Sequence, residues 1–134
     1  MTASDAEEVA ARLVRFLETG EPPTALFTDD AFVDFTTPRW RVQAEGGDAV
    51  VAMRLQNHPG TGKVPRWRCD PTPTGFVLEL EEQWQENGEQ WYCREMFRAD
   101  VRDASIAQLS VYCTGDWDTA RRAEHAREVR LLRP

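Results

Sequence analysis

Lysine is nearly missing from this chain: Lys63 is the only one among 16 basic side chains, and 23 acidic residues leave a net charge of -7. A nucleic-acid partner needs clustered Lys and Arg against phosphate, so that class is excluded, as is an anionic membrane surface. The preference for arginine fits a GC-rich genome of the actinobacterial kind. Long apolar runs are missing too. Nothing approaches the roughly 20 residues of a spanning helix, and the opening "MTASDAEEVA" is acidic rather than a basic-then-apolar leader. The expected location is the cytoplasm. The three cysteines, Cys69, Cys93 and Cys113, are odd in number and contain no CxxC pair. They read as buried reduced thiols, with Cys93 and Cys113 on neighbouring strands. The two histidines, His58 and His125, have no ligand spacing between them, so no metal site is expected. There is no Gly-rich phosphate loop and no GxSxG elbow, so no cofactor is expected either.

What is present suits one globular domain over residues 1–134, with 41% hydrophobic residues. "SDAE" (Ser4–Glu7) reads as a capping box, followed by Val9, Leu13, Phe16 and Leu17 at helical spacing and by Gly20 as a stop. A short second helix is expected from Thr24 to about "TDD", then a strand over Ala31–Thr37. "GGDAVVAMRLQ" reads as a helix capped by Asp48, burying Val50 and Met53 and stopped by Asn57–Gly60. From Lys63 the period becomes two. A short strand lies in "VPRWRCDP" and a long one in "GFVLELEEQW". Asn87-Gly88 is a hairpin turn, and "WYCREMFRADV" is the returning strand. After the turn "RDAS", "IAQLSVYCT" is the last long strand, and a terminal helix starts at Asp116 or Asp118. This order predicts an α+β fold: a cone-shaped, curved antiparallel sheet wrapped around three helices, with an open mouth. Such concave sites favour hydrophobic small molecules.

Within "WYCREMFRADV" one alternate file holds Trp91, Cys93, Glu95, Phe97 and Ala99. The preceding strand puts Phe76, Leu78 and Leu80 inside and Glu79 and Glu81 outside, where Arg94 and Arg98 can pair with them. A slip of one residue would bury two arginines, which is worse than burying one glutamate. Glu95 therefore points inward, either as a structural carboxylate paired with an arginine or hydroxyl, or as an acid with a raised pKa fit for proton transfer. His58, near the expected mouth, is a second candidate for acid or base work. Asp34 is a third, on a strand whose inward face the alternation leaves open. Trp40, Trp91, Phe97 and Phe35 are candidate contacts for a flat hydrophobic ligand. Tyr112 and Asp116 are candidate polar contacts, with helix capping as the other role for Asp116. Tyr112 and Cys113 alternate, so only one of them can face the cavity without a bulge.

"LFTDDAFVDFTTP" (Leu26–Pro38) and "EMFRADVRDASIAQLSVY" (Glu95–Tyr112) resemble passages of the SnoaL-like and ketosteroid-isomerase proteins, within the nuclear transport factor two-like superfamily. The resemblance implies the cone fold, and commonly a homodimer through the sheet. It also implies cofactor-free acid/base chemistry of the cyclase, isomerase or dehydratase type in bacterial secondary metabolism, polyketides included. The alternative it implies is a non-catalytic ligand-binding or scaffold subunit. Glu95 falls where ketosteroid isomerases keep a protonated acid. Phe35 falls where they have the general-base aspartate, and Leu13 near their oxyanion-hole tyrosine. Steroid isomerisation by that set of groups is therefore not expected, and Asp34 or His58 is left as the proton acceptor.

Overall fold

The computed structural model describes residues 1–58 and 60–134. Helix α1 (Ala3–Thr19) begins ahead of the expected capping box. Thr2 is the N-cap, its hydroxyl accepting the Asp5 backbone N–H at 3.1 Å and donating to the Asp5 carboxylate at 2.7 Å. A side-chain oxygen still satisfies an orphan amide, two residues earlier than Ser4 would. Gly20, at φ +75°, closes the helix in the left-handed conformation that glycine adopts without strain. The buried stripe includes Leu13, Phe16 and Leu17, as the spacing predicts.

The expected short second helix does not form. Pro23–Leu26 is a turn with Ala25 at φ +59°, and Phe27–Thr36 is already strand β1. Phe27, Phe32, Val33 and Phe35 favour a pleated, half-buried surface, and pairing on both sides outweighs one local cap at Thr24. Those neighbours are β2 (Arg41–Glu45), which the periodicity left unassigned, and β7 (Ser105–Cys113). Helix α2 (Gly47–Asn57) has Gly46 as its N-cap with no side-chain cap, so Asp48 sits in the first turn instead. A Cβ on Gly47 would stand 2.8 Å from the Thr28 carbonyl oxygen, so close approach to β1 requires glycine there. The helix ends at Asn57, where the His58 N–H donates to the Arg54 carbonyl. Pro59, within the expected stop, lies outside the described residues.

The remaining strands are β3 (Gly62–Lys63), β4 (Trp67–Pro71), β5 (Gly75–Glu86) and β6 (Glu89–Arg102). Asn87 and Gly88, at φ +52° and +77°, form the predicted hairpin turn between β5 and β6. The sheet runs β2-β1-β7-β6-β5-β3, with β4 also paired to β5. It is mixed rather than wholly antiparallel, because β1 and β7 run parallel. The three helices and this curved, unclosed sheet make the expected α+β cone. Helix α1 fills the concave side, packing on β3, β4 and β5, and α2 packs on β1 and β2. Phe16, Leu13, Phe76, Leu78 and Leu80 are buried between α1 and the sheet. Helix α3 (Thr119–Glu128), capped by Asp118, packs beside β6 and keeps every residue at least partly exposed. Among the described residues, no helix is long and apolar enough to cross a membrane.

Candidate functional site

The register of β5 on β6 decides the inner face. Leu78 faces Phe97, Leu80 faces Glu95, Glu82 faces Cys93 and Trp84 faces Trp91. Glu95 is buried as the alternation requires, and so is a second acid that the sequence reading passed over, Glu82. The two carboxyls bear on each other's titration, by charge and by side-chain hydrogen bonding. Two buried like charges side by side disfavour each other, so one of the two holds its proton more tightly. Arg54 on α2 decides where the charge stays. Its guanidinium holds Glu82 through two bonds, 2.6 and 3.0 Å, and donates a third to the Leu17 carbonyl. Burial pushes the Glu82 carboxyl upward, but the bonds from Glu95 and Arg54 outweigh it, and its pKa falls below the usual value. Burial, then the charge of Glu82, pushes Glu95 well above the usual carboxylate range. The two shifts run in opposite directions, Glu82 toward an arginine-bound anion and Glu95 toward a protonated acid.

These groups open into a cavity of about 430 Å³. Its deep wall is mainly apolar, with Leu13, Phe16, Val33, Phe35 and Phe97, and its rim carries Trp40, Asp116, Trp117 and Arg121. His58 is 7% exposed and lines the same cavity, its ring 4.1 Å from that of Trp84. Neither ring nitrogen has a partner among the described residues. Burial, then the positive charge of Arg54, lowers its pKa, so the imidazole is neutral and can accept a proton. The rim segment after β7 is fastened by a two-bond bridge: Trp117 N–H to Tyr92 O at 2.7 Å and Tyr92 N–H to Trp117 O at 3.0 Å.

Solved structures share this architecture. A protein of Anabaena variabilis described as NTF2-like superposes with a TM-score of 0.70 at 19% identity, covering 87% of this chain and 96% of that one. The fold is nuclear transport factor two-like. A Catenulispora acidiphila protein with a ketosteroid isomerase-like fold, solved in complex with trimethylamine, has a TM-score of 0.64 at 10% identity over 80% of this chain and 85% of that one. A phenazine biosynthesis-related protein of Pseudomonas aeruginosa has 0.63 at 11% over 98% and 89%. No family model matches the sequence, and no curated protein matches it.

In this nuclear transport factor two-like cone, Glu95, His58, Phe35, Phe97, Trp40 and Asp116 line the cavity. Three expected contacts do not. Asp34 faces outward, bound by Arg41 through bonds of 3.0 and 2.6 Å that hold its carboxyl below the usual range. Val33 and Phe35 took the inward positions on β1, and alternation puts Asp34 on the other face. Tyr112 is 59% exposed on the outer face, while its neighbour Cys113 faces the cavity. Trp91 lies outside the cavity wall and stacks on Trp84 at 6.3 Å. Asp116 stands exposed on the rim, its pKa raised by desolvation and then by Glu82. Among the outer charges, Arg94 reaches both Glu79 and Glu81, as expected, whereas Arg98 turns to Asp100. The thiols are all free. The Sγ atoms of Cys93 and Cys113 lie with a Glu95 oxygen within 4.8 Å of one another, a grouping that positions 93, 95 and 113 do not advertise as ligand spacing. The Cys93 hydrogen bond lowers the Cys113 pKa against its burial, and the Gly115 N–H at 3.4 Å assists.

Proposed function

We propose that this protein enolises a hydrophobic carbonyl compound in its cavity by acid/base chemistry without a cofactor, in the manner of isomerases or cyclases. The observation that carries the reading is the buried Glu82–Glu95 pair, one carboxylate and one neutral acid, opening with a neutral imidazole into a mainly apolar cavity. Acid/base sites are built from titratable groups whose environments push their pKa values apart. In the proposed step His58 takes a proton from the carbon beside the carbonyl. The C–H electron pair becomes the enol double bond, and Glu95 gives its proton to the carbonyl oxygen. Glu82, held by Arg54, stays charged and keeps Glu95 in the protonated form. Return of a proton to a different carbon gives isomerisation, and attack of the enol carbon on a second carbonyl gives cyclisation.

A non-catalytic binding role is the second reading, favoured by Phe35 and Leu13 in the cavity wall, where a proton acceptor and a hydroxyl donor would serve catalysis. Deuterium uptake separates the two. With 1-tetralone as the probe in deuterium oxide, proton NMR is expected to show enzyme-dependent loss of the signal next to the carbonyl. Glu95→Gln and His58→Ala should each slow it by about a hundredfold, the scale of one general acid or base. Carbon-13 titration should place the Glu95 carboxyl above its usual range. A raised carboxyl without exchange, on this and other cyclic ketones, would leave the binding role.

A further inference from the structure

Cys93 and Glu95 are two residues apart on β6, so both rise from the same face of the sheet. Cys113 on β7 is the register partner of Glu95. Positions i and i+2 on one strand, with the facing residue on the next, form a triangle whose side chains converge above the sheet. That convergence is met: two sulfur atoms and one carboxylate oxygen lie within 4.8 Å of one another, and Cys93 Sγ is 3.7 Å from Glu95 Oε1. In a tetrahedral zinc complex with bonds of about 2.0 to 2.3 Å, neighbouring ligand atoms stand roughly 3.3 to 3.8 Å apart. Small side-chain rotations close the remaining gap.

We propose that Cys93, Cys113 and Glu95 form a binding site for a thiophilic divalent cation of the zinc class, with its fourth position open to the cavity. Two thiolates select zinc-like ions over magnesium or calcium, which prefer oxygen ligands throughout. Three protein ligands with one open position make the pattern of a reactive rather than a closed structural site. Support around the ligands is in place. In the metal-free protein Glu82, itself fixed by Arg54, bonds Glu95 and so keeps its carboxyl in place for the ion. The Gly115 N–H donates to Cys113 Sγ. His58, with both nitrogens unpartnered among the described residues, lines the same cavity and is available to a molecule bound there. Uptake of the ion expels the protons of both thiols and of Glu95, since each ligates deprotonated. Metal and acid chemistry therefore exclude each other at Glu95, and enolisation belongs to the metal-free protein.

The test uses the full chain, fully reduced so that Cys93 and Cys113 cannot be oxidised together. Cobalt(II) alone is titrated in and followed by absorption. A thiolate-to-cobalt charge-transfer band with the visible bands of tetrahedral cobalt, saturating at one equivalent and bleached by zinc, is expected. Cys93→Ser and Cys113→Ser should each abolish it, Glu95→Gln should weaken and shift it, and Cys69→Ser should leave it unchanged. Circular dichroism checks each fold. If the buried Cys93→Ser protein does not fold, the half-buried Cys113→Ser carries the test. Absence of the band in folded protein, its survival in Cys113→Ser, or its loss in Cys69→Ser would overturn the site. Deuterium exchange measured with a chelator present reports on enolisation separately, so either proposal can fail alone.

Discussion

At the residue scale, Arg54 determines what the two buried acids can be. Its side chain is 16% exposed and that of Glu82 4%, so little solvent screens the pair. Replacing Arg54 by Met leaves the Glu82 carboxylate without its cation. Such a loss costs about 3–5 kcal/mol, read as a lower urea midpoint at neutral pH. Part of it should return in acid as Glu82 is protonated. The wild-type pH profile follows from the two opposite shifts. Glu95 is raised, so the folded state keeps a proton that the unfolded chain releases above about pH 4.3. Its contribution is full below that value and fades as pH rises through the folded pKa. Glu82 is lowered, so its contribution is present above the ordinary value and fades as pH falls through the folded one. The raised Asp116 adds to this fading and the lowered His58 opposes it, so the expected outcome is a urea midpoint that declines above about pH 5 and declines less steeply in Glu95→Gln than in wild type. Glu95 was legible because only one register avoids buried arginines. Glu82 was equally written there: the inward file Phe76, Leu78, Leu80 continues to Glu82 and Trp84. Arg54 follows Val50 by four positions, the same helical face. Nothing in the spacing revealed that these two would meet.

At the element scale, the strands that carry the site were the most legible. Alternation and the Asn87-Gly88 turn located β5, β6 and β7, because local turn chemistry and face patterning agree there. The strand over Ala31–Thr37 was legible, but a helix was expected from Thr24 to Asp30, where β1 already runs, and β2 was left unassigned; the pairing that extends β1 is long-range, to β7 nearly eighty positions on. Two substitutions separate conformational strain from lack of space. Ala104, in the β6–β7 turn, is exposed at φ +64°, a conformation that strains an L residue. Ala104→Gly is expected to stabilise by about 1 kcal/mol. Gly75 begins β5 where a Cβ would stand 1.9 Å from the Ala99 carbonyl oxygen, and backbone cannot step aside cheaply. Gly75→Ala should cost about 1–3 kcal/mol or more. Urea unfolding of both variants beside wild type gives the two signs, and equal effects would contradict the register of β5 on β6.

At the scale of the whole molecule, the outer sheet face is the surface we propose for a second copy. Met96 and Tyr112 are register partners across β6 and β7, and both are exposed. Light scattering after size exclusion should give twice the chain mass for wild type, and a smaller mass for a Met96→Glu/Tyr112→Glu double variant whose circular dichroism is unchanged. At the mouth of the cone, the rim segment is joined to β6 through the backbone N–H and C=O of Tyr92 and Trp117. A main-chain bridge is indifferent to the side chains hung on it, provided neither is proline. The entrance can therefore exchange its aromatic rings for others over evolutionary time and keep its aperture. The scaffold stays still while the side chains around it change, and proteins with this cone do share as little as 10% to 19% identity with this chain.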